Sequence, residues 1–251
     1  MAVRAALKRA PATAVAPPQR LAAIDALRGI AIVAMILFHF SFDLALFRIA
    51  RFDFEHDLAW IVARAVIVAT FMGLVGVSLV LAARQNVAAS RRWRRVALVA
   101  ACALAVSAAS YALFPQTWIR FGILHAIALS SVIAWPLARR PRLSLGLGLA
   151  IVAAGVLVAH PAFDHPALQW IGFTTVLPRT EDYVPLFPWL GVTLIGIAIG
   201  DGLARRGFAP LRLLENAPGP LRWLGRHSLA VYLIHQPVLI GGLAIVLGRL
   251  P

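Results

Sequence analysis

Charged side chains are scarce in this sequence. Of its 251 residues only 14% are Asp, Glu, Lys or Arg, whereas 61% are hydrophobic. This composition excludes an ordinary soluble domain, in which about 25% of the residues are charged. It indicates a chain that lies mostly within a lipid bilayer. Cys102 is the only cysteine, so an intrachain disulfide is excluded as well.

Several motifs that would indicate other functions are missing. The chain holds no P-loop, no dinucleotide-binding glycine pattern and no Gly-x-Ser-x-Gly motif. Its seven histidines are scattered without the spacing of a metal site, so we expect no metal. The net charge of +14 suggests nucleic-acid binding. However, the arginines lie between apolar runs and match no such motif, so we expect no nucleic-acid partner.

Long apolar runs are abundant. Seven are long enough, or nearly so, to cross a bilayer of about 30 Å. They are Ile24–Phe47, Leu58–Ala83, Val96–Phe114, Gly122–Leu137, Leu143–His160, Val184–Leu203 and Ser228–Leu247. They predict an all-α, polytopic transmembrane helix bundle of about seven spans over residues 21–251. Residues 1–20 are basic and contain prolines but no apolar core, so we expect a disordered cytoplasmic tail.

Basic residues between the runs alternate from side to side. One set of connections, which includes the N-terminal tail, holds 18 of them, and the opposite set holds five. Cytoplasmic loops carry the excess of Lys and Arg in membrane proteins. The distribution therefore predicts a cytoplasmic N-terminus.

The first apolar run carries ionisable residues on one face. Arg28 and His39 are eleven positions apart, which on a helix places them on nearly the same face about 16 Å apart. Asp43 follows His39 at i, i+4, where a carboxylate can orient an imidazole; a packed polar pair between helices is the alternative. Asp25 and Arg28 are either part of a binding site or only an ion pair at a helix start. Ionisable groups within a membrane helix suggest a functional site.

Further polar residues lie in the connections and in the later runs. His56 lies in an acidic loop after the first run, either as a general base or as a solvated surface residue. Two groups of residues are candidates for an acceptor site. One consists of mid-span polar residues beside Pro237, and the other lies at the outer entrances of the fourth and sixth runs. They are Arg120, His125, Asp182, His235 and Gln236.

Six segments in combination resemble one protein family. They are residues 24–31, 39–43, 71–79, 120–125, 182–191 and 225–237. Over about residues 20–245 the chain resembles small bacterial relatives of the catalytic domain of heparan-α-glucosaminide N-acetyltransferase. The spacing of Arg28 and His39 also resembles the Arg/His motif of the wider transmembrane acyltransferase superfamily.

This resemblance implies a multi-pass acyltransferase of the bacterial inner membrane. It implies transfer of acetyl from cytoplasmic acetyl-CoA to an acceptor across the membrane, such as a periplasmic glycan or glycolipid. Arg28, with Asp25, would help to bind the acyl-CoA, and His39 would be the catalytic histidine. In the lysosomal branch of the family the catalytic histidine lies in the following loop, which corresponds approximately to His56. Both histidines are therefore candidates.

Two other functions fit the same polar core. A small transporter or export component also uses buried histidines and carboxylates, although no inverted repeat is evident. A structural membrane subunit would need none of these side chains. The small residues Gly73, Gly76, Gly191 and Gly196 permit a homodimer.

Overall fold

The computed structural model describes residues 21–249, and every regular element in that range is a helix. The nine α-helices are α1 Ala22–Leu46, α2 Leu58–Arg84, α3 Ala89–Leu113, α4 Ile123–Ala134, α5 Pro141–Leu157, α6 Leu186–Arg205, α7 Arg212–Glu215, α8 Gly219–Arg226 and α9 Ser228–Leu247. The tail predicted over residues 1–20 lies outside the described residues. The predicted all-α class is confirmed.

Five of these helices, α1, α2, α3, α6 and α9, are long and apolar enough to cross a membrane. The apolar helices α4 and α5 are shorter. Helices suit a bilayer because each satisfies its own backbone hydrogen bonds. Large apolar side chains remain exposed on the outside of the bundle; Leu113, Leu157 and Ile245 are 72%, 81% and 84% exposed. Such a surface indicates contact with lipid, and the chain is a multi-pass membrane protein.

Helix α6 is the centre of one half of the bundle, between α2 and α5. The contacts are so close that glycine is required. A Cβ at Gly76 would lie 2.1 Å from the Thr193 carbonyl oxygen, and one at Gly196 would lie 2.3 Å from the Gly73 carbonyl oxygen. A Cβ at Gly191 would likewise lie 2.6 Å from the carbonyl oxygen of Gly148, on α5. Three of the four glycines that would permit a homodimer therefore pack within the chain.

The first and last long helices pair in parallel. Near the start of α9, Val231 packs against Ile32 and Met35 of α1. Further along, His235 and Gln236 face α1, and Arg249 donates a hydrogen bond to the Phe47 carbonyl oxygen. The two ends of the described chain therefore form one side of the bundle.

Helix α8 runs antiparallel to the first turns of α1. A Cβ at Gly29 would lie 2.0 Å from the Leu221 carbonyl oxygen, and one at Gly225 would lie 1.7 Å from the Asp25 carbonyl oxygen. The sequence indicated only an arginine-rich connection here. The glycines allow this short helix to lie directly against α1.

The segments that precede α4 and α6 also pair with each other. The Glu181 amide donates to the Thr117 carbonyl oxygen at 2.8 Å, and Phe121 and Tyr183 form an isolated β-bridge. The Asp182 carboxylate accepts the backbone N–H of Ile123, the first residue of α4, at 2.8 Å. This pairing fixes the entrances of two helices relative to each other.

Candidate functional site

His39 of α1 and His235 of α9 lie against each other. Their ring centroids are 4.9 Å apart, and His39 Nδ1 lies 3.3 Å from His235 Nε2. His235 is buried, whereas His39 is partly exposed. We predicted His235 on the acceptor side, but the structure gives it direct contact with the first-helix histidine.

Backbone carbonyls assign the proton on each ring. His39 Nδ1 lies 3.0 Å from the Met35 carbonyl oxygen, and His235 Nδ1 lies 2.6 Å from the Tyr232 carbonyl oxygen. A carbonyl only accepts, so in the neutral rings each Nδ1 carries the proton. The His39 Nδ1–H is then shared between two acceptors, the Met35 carbonyl oxygen and His235 Nε2. His39 Nε2 keeps a free lone pair and has no hydrogen-bond partner among residues 21–249, as a general base or nucleophile requires.

Asp43 does not hydrogen-bond to His39. Its side chain turns towards α9, where Oδ1 accepts a hydrogen bond from Gln236 Nε2 at 2.6 Å. The i, i+4 spacing puts Asp43 one turn beyond His39, but the imidazole already has the Met35 carbonyl as its partner. The predicted orientation of His39 by Asp43 is therefore replaced by contacts with Met35 and His235.

His56 forms a separate pair on the surface. Its Nδ1 lies 3.0 Å and 3.1 Å from the two carboxylate oxygens of Asp53, and its side chain is 80% exposed. Hydrogen bonds from the His56 backbone and side chain hold the pKa of Asp53 below its ordinary value. No hydrogen bond, ion pair or ring contact joins His56 to His39 among the described residues. The two candidate histidines are thus in different environments.

Asp25 lies between two arginines at the other end of α1. It is 4% exposed, and its carboxylate oxygens lie 3.6 Å from Arg28 and 3.2 Å from Arg226. Arg28 also donates to the Ser78 hydroxyl of α2. Two guanidinium groups and one carboxylate leave a net positive charge, and the Arg226 side chain is 46% exposed. Such a site suits an anionic group such as a phosphate.

Asp182 connects the outer segments to α9. Besides the Ile123 amide, its carboxylate accepts a long hydrogen bond of 3.5 Å from the Tyr232 hydroxyl. Burial raises the pKa of Asp182 to about 6, against the opposing effects of these two hydrogen bonds and of Arg64 nearby. Tyr232 lies one turn before His235, so Asp182 reaches the neighbourhood of the histidine pair.

His125 stabilises the start of α4. Its Nδ1 accepts the Gly122 backbone N–H at 3.2 Å, which leaves Nε2 to donate to the Ser107 hydroxyl at 3.3 Å. The Ser107 hydroxyl in turn donates to the Ile119 carbonyl oxygen. Both ring nitrogens therefore have structural partners.

Arg120 is exposed and lies at a pocket of about 170 Å³. Arg179, Trp170 and Tyr183 also line this pocket. Two guanidinium groups beside aromatic rings suit a polar ligand with negative charge. Tyr183 follows Asp182 directly, so the pocket is connected to the contact between Asp182 and α9.

Some of these contacts were not predicted from the sequence. Neither Arg226, a partner of Asp25, nor Ser78, a partner of Arg28, was among the candidate site residues of the sequence. Asp53, the partner of His56, was one of several acidic residues in its loop. Asp25 and Arg226 are separated by 201 positions. One sequence carries no signal for such a pair.

Comparison with known proteins identifies a family. A model of the family described as "Heparan-alpha-glucosaminide N-acetyltransferase, catalytic" matches residues 20–237. No curated protein and no solved structure matches the chain.

Proposed function

The chain belongs to the heparan-alpha-glucosaminide N-acetyltransferase catalytic family, and from this we propose that it transfers acetyl from acetyl-CoA to an amine or hydroxyl group of an extracytoplasmic glycan or glycolipid. The observation that carries the proposal is the His39–His235 pair, which leaves the His39 Nε2 lone pair free. The family supports acetyl transfer, and the five membrane-capable helices support a membrane setting.

The proposed topology has seven crossings and a cytoplasmic N-terminus, in the bacterial inner membrane. The excess of 18 basic residues over five supports this orientation. A 3₁₀ turn extends α4 to Leu137, and α5 has 17 residues. A helix of about 17 residues is at the lower limit for a membrane span.

In the proposed reaction His39 acts on the acceptor. Its Nε2 removes a proton from the acceptor amine or hydroxyl as that group attacks the thioester carbonyl. The carbon–sulfur bond breaks, and the CoA sulfur leaves and takes up a proton. Alternatively, Nε2 attacks the thioester itself and carries the acetyl group to the acceptor. In both routes the Nδ1 hydrogen bonds to Met35 and His235 keep the lone pair on Nε2.

The proposed donor site is the arginine pair at Asp25. The adenosine phosphates of acetyl-CoA would contact Arg28 and Arg226, whose net charge is positive. The pantetheine arm would extend along α1, because the ~16 Å between Arg28 and His39 is comparable to its length. This arrangement accounts for a phosphate-binding charge at one end of α1 and a reactive histidine further along it.

Arg226→Gln is expected to raise the KM for acetyl-CoA about tenfold, because a hydrogen bond to a charged group contributes about 1.5–3 kcal/mol and about 1.4 kcal/mol is a factor of ten. Steady-state kinetics would measure this. Arg206→Gln, an exposed position beyond α6, is the charge-matched control. S-acetylpantetheine lacks the phosphates, so its KM should not change. An equal loss with both donors would contradict phosphate binding at Arg226.

The proposed acceptor site is the pocket at Arg120. Trp170 and Tyr183 offer aromatic faces to a sugar ring, and Arg120 and Arg179 offer positive charge. Asp182, which precedes Tyr183 of this pocket, accepts a hydrogen bond from Tyr232, and Tyr232 lies one turn from His235. Of the other predicted acceptor-site residues, His125 stabilises the start of α4, and His235 and Gln236 contact side chains of α1.

The proposed function is tested with the purified wild-type protein in proteoliposomes. Acetyl-CoA radiolabelled in the acetyl group is added outside vesicles that enclose glucosamine as the probe acceptor. We expect labelled N-acetylglucosamine and free CoA thiol in equal amounts. Label that stays on the protein until acceptor is added would favour the acetyl-histidine route. Failure to bind acetyl-CoA at all would contradict the proposal and favour a transporter or a structural subunit.

A further inference from the structure

Two buried oxygens beside the histidine pair lack hydrogen-bond partners within the part of the chain that the structure describes. Asp43 is fully buried, and its Oδ1 accepts the hydrogen bond from Gln236 Nε2 at 2.6 Å. Among residues 21–249 its other carboxylate oxygen, Oδ2, has no hydrogen-bond partner, and neither does the amide oxygen Oε1 of Gln236. The two unpaired oxygens therefore belong to the same pair of side chains, on facing helices.

An ionised Asp43 would be poorly accommodated at this position. No ion pair involves Asp43 among residues 21–249. Ionisable groups about one turn away on the two paired segments have other partners. His39 and His235 contact each other and backbone carbonyls, and Arg249 donates to the carbonyl oxygen of Phe47, one turn beyond Asp43. A buried charge without a counter-ion is strongly unfavourable, and so is a buried oxygen without a donor.

We propose that Asp43 carries a proton and forms a reciprocal acid–amide pair with Gln236. The Oδ2–H donates to Gln236 Oε1, while Gln236 Nε2 donates to Oδ1. One proton thus satisfies both unpaired oxygens and removes the buried charge. The proton follows from these two side chains alone; only its effect on catalysis rests on the proposed function.

The pair positions the histidines. Asp43 lies one turn beyond His39 on α1, and Gln236 follows His235 on α9. Two hydrogen bonds between α1 and α9 at this level fix their register, and with it the 3.3 Å contact between the rings. Asp43 and Gln236 are therefore positioning residues, and a neutral amide at position 43 should replace the acid.

Infrared spectroscopy detects the proton independently of activity. At neutral pH the wild-type protein should show the C=O stretch of a protonated carboxylic acid that is lost in Asp43→Asn. Gln236→Leu should shift this band to higher frequency, because the C=O loses its hydrogen bond. A wild-type spectrum without such a band would overturn the proposal, whether or not the protein transfers acetyl.

Substitutions then test the positioning role. Asp43→Asn preserves both hydrogen bonds, so acetyl transfer should stay within about twofold of wild type, whereas Asp43→Ala should lose about tenfold or more. The double variant Asp43→Asn with Gln236→Glu exchanges acid and amide, and should also be active. An Asp43→Asn protein as impaired as Asp43→Ala would show that the ionised carboxylate is required and would overturn the proposal.

Discussion

Replacement of His39 by Asn is expected to lower the rate of acetyl transfer by about 10²–10⁴-fold, the contribution of a positioned general base. The Asn side-chain amide can still donate to the Met35 carbonyl oxygen, so the hydrogen bond that His39 Nδ1 makes within α1 is preserved. What is lost is the Nε2 lone pair. His39→Ala should lose at least as much activity. Release of CoA thiol in the presence of acceptor measures both variants.

His56→Ala is the matched control for the His39 variants. It removes an imidazole with a carboxylate partner, but from the exposed loop, and should change the rate by less than about twofold because surface substitutions have small effects. The opposite pattern, with loss at His56 and activity at position 39, would assign catalysis to the His56–Asp53 pair. Unchanged thermal unfolding of each variant would confirm that the rate reports chemistry.

Gly76→Ala is expected to produce a large loss of stability, a decrease in the free energy of unfolding of about 3 kcal/mol. The added Cβ would lie 2.1 Å from the Thr193 carbonyl oxygen and 2.7 Å from the Ile197 amide. Both are backbone atoms of α6, so no side chain can move aside and the two helices must separate. Van der Waals packing between closely approaching backbones contributes to the association of membrane helices. Unfolding in detergent, followed by circular dichroism, measures the change.

Gly73→Ala provides the control within the same helix. Apart from its chain neighbours and the adjacent backbone of α2, no atom of residues 21–249 lies within 4 Å of its added Cβ. Alanine favours helix over glycine by about 1 kcal/mol, so this variant should be as stable as wild type or slightly more so. Equal destabilisation by both substitutions would show that the α2–α6 contact is not the cause.

The sequence predicted the helices well because lipid leaves a chain few alternatives. Each of the seven apolar runs corresponds to a helix, since a stretch such as Leu58–Ala83 must satisfy its own backbone in the membrane. Helix α8 was missed because its eight residues, Gly219–Arg226, have no long apolar run. Its glycine contacts with α1 depend on the tertiary structure.

The sequence predicted the residues of the candidate site better than it predicted which of them contact each other. The polar face of α1 was found because ionisable residues are rare in membrane helices. The partner of His39 was wrongly expected at i+4, within α1. Local spacing favours Asp43, but the structure supplies His235 from a helix 196 positions away. Periodicity describes one helix at a time, so contacts between helices lie beyond it.

The pairing of the first and last long helices has a consequence for biosynthesis. At about 5–20 residues per second, the ribosome needs about 10–40 s to proceed from His39 to His235. During that interval the polar side chains of α1 must be accommodated without α9, by lipid, water or the insertion machinery. The histidine pair is completed only near the end of translation. A nascent chain that stops before Ser228 would place most of the bundle in the membrane without the paired histidines.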